Sequence, residues 1–377
     1  VINLFPVDNV EVSVDKRLIE ALHGDVRQGP RVEEFEKALG GWIGSSRILT
    51  TCSGTIALQL ALRTAGIGSV NGGSNSDEVI VTPMTCAATI MPIIGAGARP
   101  VWADVDPYSG LLDPVDAQSM ITENSRAIMC VHWGGTPCNM GALHTIGQNY
   151  GISIIEDAAH AFGAYDWNGV KIGNNSADYT MFSFQALKHL TTIDGGALSI
   201  RNEDDYKLAK LARWYGIDRE GKHKDSRHEE DIEVWGLKWH MNDINAIIGL
   251  EQLKYADNIL NNHRANAGLY WDALDGKRFI PAFPIEALEK SAFWLYTILM
   301  KDREDRLNFI RHMEEKEIRA SQIHTRTDNH TVFREFKTRE LPGVDRFSER
   351  MVCIPVHGKL TTLEKYTIIQ ACEDYAA

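Results

Sequence analysis

The chain has 377 residues, too many for one small core, and its 44% hydrophobic and 24% charged content is that of a folded globular protein rather than a disordered or fibrous one. A formal charge of −12, with no Lys/Arg-rich block, argues against nucleic-acid binding, and no run of 18 apolar residues is present to span a membrane. Val1-Ile-Asn-Leu-Phe-Pro6 is not a basic segment followed by an apolar one, so no secretory leader is expected and a soluble, cytoplasmic protein is.

Two domains are expected. From about residue 50 to residue 255, short apolar runs alternate with helical stretches. In chain order they are a helix over 55–65, a strand over 79–81, a helix over 87–94, strands over 101–103 and 127–133, a helix over 140–150, strands over 152–155, 179–184 and 197–200, and helices over 203–215 and 242–255. The strands are continuously apolar and mostly β-branched or aromatic, as strands covered on both faces are. The alternation predicts an α/β domain over 1–255, a mostly parallel sheet with helices on both faces, with 1–30 as an N-terminal arm. Residues 256–377 are more charged and carry strand candidates at 293–300 and 351–355, which predicts a smaller α+β domain. The polar stretch 216–231 reads as a mobile surface loop. Ligands of such sheets sit at the carboxyl ends of the strands.

Several common signals fail. Gly95-Ala-Gly97-Ala-Arg-Pro100 leads into a strand rather than a helix, which rules out a dinucleotide fingerprint. The stretch 216–222 imitates a phosphate loop, but His223 follows Lys222 where Ser or Thr is needed. Asp104-Val-Asp-Pro-Tyr-Ser-Gly110 lacks the ligands of a calcium loop and reads as a strand-end turn. There is no HExxH and no Gly-x-Ser-x-Gly. Cys52, Cys86, Cys130, Cys138, Cys353 and Cys372 are scattered without a CxxC pair, so reduced thiols are expected and no metal site.

Three segments carry chemistry together. Thr50-Thr-Cys-Ser-Gly-Thr55 is a small polar loop opening into a helix, where Ser53, Gly54 and Thr55 favour a phosphate; a plain helix cap is the alternative. Ile154-Ile-Glu-Asp157 is a strand that ends in acids, with His160 three residues on. A carboxylate there is costly without a cationic partner, a helix cap or metal ligand being the alternatives. Tyr179-Thr-Met-Phe-Ser183-Phe-Gln-Ala-Leu-Lys188 delivers one lysine into uncharged surroundings, which lower an amine's pKa and make it a nucleophile. A lysine, a carboxylate for a ring nitrogen and a phosphate cradle are what pyridoxal phosphate requires.

At these residues the chain resembles the DegT-type sugar aminotransferases, fold-type I pyridoxal-phosphate enzymes that act on nucleotide-linked keto sugars. The resemblance runs through Gln28-Gly-Pro-Arg-Val-Glu-Glu-Phe-Glu36, Ser53-Gly-Thr-Ile-Ala-Leu58, Asp77-Glu-Val-Ile80, Gly97-Ala-Arg-Pro-Val101, Val131-His132, Glu156-Asp-Ala-Ala-His-Ala161, Ser183-Phe184 with Lys188, Gly195-Gly196 and Asn245-Ala-Ile-Ile-Gly-Leu-Glu-Gln-Leu253. It implies a seven-stranded large domain and a homodimer with shared active sites. Lys188 would be the Schiff-base lysine and proton shuttle, Asp157 the partner of the pyridinium, and His160 a neighbour of the phenolic oxygen. Gly54, Thr55 and Ser183 would hold the phosphate.

Two departures from the family stand out. Cys86 occupies the place of an aromatic that stacks on the cofactor, and Lys238 and His240 stand where Gly-x-Asn-x-Arg is usual. Lys238 could still reach the partner subunit's phosphate as a charged donor. Substrate contacts are expected from Trp133, His240, His324, Arg326, His330 and the loop 216–231. The implied reaction moves an amino group from L-glutamate to a nucleotide-linked keto (deoxy) sugar, for amino-sugar, polysaccharide or glycoconjugate synthesis. A sugar dehydratase with the same cofactor is the enzymatic alternative, although its members have His in place of the lysine. A catalytically silent cofactor-binding regulator is the other.

Overall fold

The apolar runs assemble into a seven-stranded sheet in the order β1-β7-β6-β5-β4-β2-β3. Its strands are β1 (Ile48–Thr51), β2 (Glu78–Val81), β3 (Arg99–Trp102), β4 (Ser125–Val131), β5 (Ser153–Asp157), β6 (Tyr179–Ser183) and β7 (Gly196–Ile200). Strands β3, β2, β4, β5 and β6 run parallel, whereas β7 is antiparallel to both β6 and β1. The computed structural model describes residues 1–6, 18–19, 23, 29–218, 231–274, 276 and 278–376. Most of the expected N-terminal arm, and residues 219–230 of the expected surface loop, lie outside the described residues.

Both faces of the sheet are covered, which explains why its strands read as unbroken apolar runs. Val79, Val81, Met129, Ile155, Met181 and Leu198 share one face with α2 (Gly54–Thr64) and α3 (Ala87–Gly95). Their neighbours Ile80, Ile128 and Ile154 point the other way, onto α5 (Met140–Tyr150), with Ala117 of α4 (Pro114–Ser119) in the same cluster. Farther along that second face, Phe182 and Ala197 pack with α1 (Pro30–Ile43) and α7 (Asp243–Leu253). Helix α6 (Glu203–Ala212) follows β7 and is capped by Asn202, whose side chain accepts from two backbone amides.

One correction concerns Thr50 and Thr51, read above as loop; they are the last residues of β1. Their polarity hid the strand. Glu36 accepts from the Thr50 amide at 2.7 Å and from its hydroxyl at 2.8 Å, so a buried polar residue is satisfied within the sheet edge. Register then does the positioning. Gly196 lies opposite both Thr51 and Ser183, and a Cβ on Gly196 would come within 2.6 Å of the Gly54 nitrogen. A glycine is therefore required where the loop after β1 crosses β7.

The rest of the chain comprises α8 (Ala256–Leu274), β8 (Ile280–Pro281), α9 (Ala287–Lys290), β9 (Tyr296–Leu299), α10 (Arg303–Glu315), α11 (Pro342–Arg350), β10 (Met351–Ile354) and α12 (Thr362–Ala376). The three strands form an antiparallel sheet, β10-β9-β8, over a core that includes Tyr270, Phe293, Tyr296 and Phe309. Residues 1–6 run against this unit. The Ile2 amide donates to Glu317, the Ile2 carbonyl accepts from Arg319, and His357 lies 3.2 Å from the Asn3 carbonyl. The unit meets the large sheet at the end of β4, where the amides of Ala292 and Leu295 donate to Gly135 and Gly134 at 3.1 Å. Gly135 has φ 103, and a Cβ there would lie 2.8–3.1 Å from Phe293, His160 and Trp294 backbone atoms. That close approach sets Trp294 beside the carboxyl ends of the strands. Among the described residues, no helix is long and apolar enough to cross a membrane.

Candidate active site

Strand β5 ends in adjacent carboxylates that face opposite sides of the sheet. Glu156 is completely buried and accepts hydrogen bonds from Ser176 at 2.6 Å and Thr180 at 2.5 Å, with His132 in ion-pair contact at 3.3 Å. Burial opposes its charge, but His132 and the two hydroxyls hold its pKa below the usual value. Cys130, His132 and Cys138 bring their sulfur and nitrogen atoms within 4.8 Å of one another. Nδ1 of His132 already accepts from the Cys138 amide at 3.1 Å while Nε2 faces Glu156, so this ring acts as a linchpin between strand ends.

Asp157 faces the other way. Its Oδ2 accepts from the Thr89 hydroxyl at 2.7 Å and its Oδ1 from the Ala159 amide at 3.0 Å, and Thr89 in turn pairs with Thr85 at 2.7 Å. Burial raises the Asp157 pKa, while these bonds and the positive charge of Lys188 pull against that rise. Such a carboxylate is set up to meet a cation.

Lys188 sits in the turn after β6, its amide donating to the Gln185 carbonyl at 2.9 Å. The turn is fixed from below. His189 is buried with Nε2 2.9 Å from the Ala292 carbonyl, and Thr191 and Thr192 bond back to Phe184. Ile193 follows with φ 71, a conformation costly for a β-branched residue, and strain of this kind gathers at functional loops. The Lys188 ammonium lies 3.8 Å from the centroid of the Trp294 ring. Burial lowers the amine to about 8, against the opposing effect of Asp157 and Cys86.

In the ring cluster beside that amine, three nitrogens have no hydrogen-bond partner among the described residues: Nδ1 of His160, Nε2 of His324 and Nε1 of Trp133. The rings belong to one cluster. His160 stacks on Trp294 at 3.9 Å and 22°, lies parallel to His324 at 5.9 Å, and meets Trp133 edge-on at 6.1 Å. Burial first, then the nearby lysine charge, holds His160 well below its usual pKa and His324 at about 4, so both imidazoles are neutral. Buried polar atoms without partners are rare in folded proteins, and several around one amine and one carboxylate fit a polar ligand. A pyridoxal phosphate matches this donor set in its aldehyde, ring oxygen and ring nitrogen.

The phosphate candidates lie one strand away. Ser53 caps α2 by accepting from the Ile56 amide at 3.2 Å, which is the simpler role considered for that residue. Gly54 opens the helix against Ser183, and a Cβ there would stand 3.0 Å from both the Met181 sulfur and Ser183 Cβ. Gly54→Ala is expected to weaken pyridoxal phosphate binding about tenfold with the fold retained. Titration of the cofactor-free chain checks this.

Other sequence candidates are placed as follows. Cys86 is half-buried at the N-cap of α3. Lys238 is exposed and bridges to Trp214. His240 is buried against Trp214 with Nδ1 2.7 Å from the Met241 carbonyl, away from the His160 cluster's ring contacts. Arg326 is held by Asp328 through two 2.7 Å bonds and by Asp345, and Thr327 anchors this run to the Pro83 carbonyl. His330 is exposed. The structure thus gathers Asp157, His160, Lys188, Trp133 and His324, and keeps Arg326 and His330 out of that ring cluster. Trp294, Thr89 and Phe5 are site residues that sequence reading missed. Trp294 and Phe5 look like ordinary core aromatics in the chain, and Thr89 lies inside an apolar helix.

The description "DegT/DnrJ/EryC1/StrS aminotransferase family" fits residues 11–373. The chain is similar to the sugar aminotransferase CalS13 of Micromonospora echinospora, with 31% identity, 99% of this chain and 100% of that chain covered, and a TM-score of 0.91. It is similar to the spore coat polysaccharide biosynthesis protein SpsC of Bacillus subtilis, 28% identical over 93% of this chain and 91% of that protein. Spr1654 of Streptococcus pneumoniae, solved in a PLP form, is 25% identical with a TM-score of 0.86 over 98% of both chains. The chain belongs to the DegT/DnrJ/EryC1/StrS aminotransferase family and is a fold-type I, pyridoxal-phosphate-dependent aminotransferase.

Proposed function

Starting from that membership, we propose that the enzyme moves the amino group of L-glutamate to the ketone of a nucleotide-linked keto (deoxy) sugar, working as a homodimer in amino-sugar synthesis. The observation that carries this reading is the meeting of the Lys188 amine with neutral His160 and His324, three buried polar atoms lacking partners, and the Asp157 carboxylate. Pyridoxal phosphate, when bound, supplies an aldehyde for an amine and a ring that takes up the electron pair left by a departing proton.

The chain's residues do the rest. Lys188 would hold the aldehyde through Nζ, and the same nitrogen, when free, would hold and move the proton. An amine at about 8 suits that exchange near neutral pH, because both protonation states are populated. Asp157, fixed by Thr89 and Ala159, holds a proton on the ring nitrogen. His160 offers Nδ1 to the ring oxygen. Gly54, Thr55 and Ser183 cradle the phosphate at the start of α2.

Lys238 is exposed and follows Leu237 at 49% and Trp235 at 40% exposure, apolar side chains that suit burial against a second copy. That supports Lys238 reaching the partner's phosphate. Trp133 and His324 are the favoured sugar contacts, and the ion pairs of Arg326 favour a scaffolding role for it.

The test is the visible spectrum of the purified chain loaded with pyridoxal phosphate. L-Glutamate should bleach the band of lysine-bound cofactor and release one equivalent of 2-oxoglutarate. A nucleoside-diphosphate keto sugar should then restore the band. A band indifferent to glutamate overturns the donor, and no band at all overturns the cofactor site.

A further inference from the structure

We infer that Trp294 is a positioning residue for the reactive lysine: its indole grips Lys188 by side chain and backbone together, aligns His160 beside it, and is backed by Phe5 from the N-terminal segment. This rests on Lys188 being the reactive amine. Four contacts meet on one ring system. The Lys188 ammonium is 3.8 Å from the ring centroid. The indole N–H donates to the carbonyl of Leu187, the residue just before Lys188, at 2.8 Å. His160 stacks at 3.9 Å and 22°, and Phe5 at 4.8 Å and 27°.

A core tryptophan needs none of this. Trp294 is 6% exposed and could have satisfied its N–H anywhere, yet it bonds the loop whose side chain it also carries. The double grip matters because a lysine has four rotatable side-chain bonds. Holding its amine over an aromatic face while fixing the adjacent peptide removes much of that freedom before a substrate arrives. The same indole sets the plane of His160, so amine and imidazole keep one mutual geometry. Its own place is determined from two sides: by the Gly135 backbone, which a side chain would push away, and by Phe5, whose segment is tied down through Ile2 and Asn3. Residues 1–6 are thereby part of the site rather than a loose end.

The charged form of an amine is favoured by an aromatic face, so replacing that face with an aliphatic one of similar bulk lowers the pH at which Lys188 gains its proton. The other groups acting on this amine are Asp157, Cys86, His160, His324 and His189; of these only His160 stacks on the indole, and burial keeps that imidazole neutral. The experiment uses the cofactor-free chain and labels Lys188 with a small amine-reactive reagent across pH, read by peptide mass spectrometry. Trp294→Leu should shift the labelling midpoint down by about 0.7 unit, while Trp294→Phe, which keeps a face, should stay near the parent. Phe5→Leu should raise the labelling rate above the midpoint about threefold by loosening the stack. In the loaded enzyme, Trp294→Leu should lower kcat with the glutamate KM unchanged.

An unchanged or raised midpoint in folded Trp294→Leu overturns the inference. If that variant does not fold, an unchanged rate in Phe5→Leu does so instead. Failure of the parent chain to take up pyridoxal phosphate would overturn the proposed function alone, because the labelling readout needs no cofactor.

Discussion

Lys188→Ala is expected to reduce amino transfer by about four orders of magnitude and to abolish the visible band of lysine-bound cofactor. The size follows from the two roles proposed for one nitrogen, holding the aldehyde carbon and carrying the proton. No described neighbour replaces both. His160 and His324 are held neutral with depressed basicity, and Asp157 is fixed by the Thr89 hydroxyl and the Ala159 amide. His189, next in the chain, is turned into the core with Nε2 on the Ala292 carbonyl. Stopped-flow spectra with L-glutamate and single-turnover product assays measure the loss. Added methylamine should restore part of the proton transfer, since the cavity left by the side chain admits a small amine. The pH dependence has a definite sign. In the cofactor-free chain, trapping of an added aldehyde by Lys188 should rise about tenfold per unit below pH 8 and level off above it, because burial lowers that amine to about 8.

Asp157→Asn is expected to cost about a thousandfold in turnover and to weaken cofactor binding as well. Asparagine keeps the shape, so Thr89 and the Ala159 amide can remain nearby. What disappears is the negative charge that keeps a ring nitrogen protonated, and an unprotonated ring is a far poorer electron sink. Steady-state kinetics together with the cofactor's binding constant separate the two losses. Unaltered turnover would mean that another acid serves the ring. Glu156 cannot, since it lies on the opposite face with Ser176, Thr180 and His132.

Much of this was legible in the chain. Unbroken apolar runs such as Ala127 to Val131 announced a sheet covered on both faces; Asp157 stood out as a charge at a strand end, and Lys188 as one lysine among uncharged residues. Strand β1 was hidden because Thr50 and Thr51 are polar, and Glu36 supplies the bonds that make them tolerable inside. Trp294 was hidden for the opposite reason. An aromatic among apolar residues looks like core, and no local pattern says that it will lie 3.8 Å from an amine 106 positions earlier. Arg326 was expected among the substrate contacts, and the chain gave no sign that Asp328 and Asp345 would pair with it. Periodicity reports what is buried, whereas the partners of a side chain depend on which distant segments the topology brings together.

The antiparallel insertion of β7 has a consequence for synthesis on the ribosome. Strand β1 enters the sheet through β7, so it has no strand to pair with until residues 196–200 have been made. The indole that grips Lys188 comes a further ninety or so positions later, at Trp294. Contacts this distant in sequence form late and slowly. A nascent or truncated chain ending before Trp294 carries the lysine and the aspartate but not the ring that later lies over the amine.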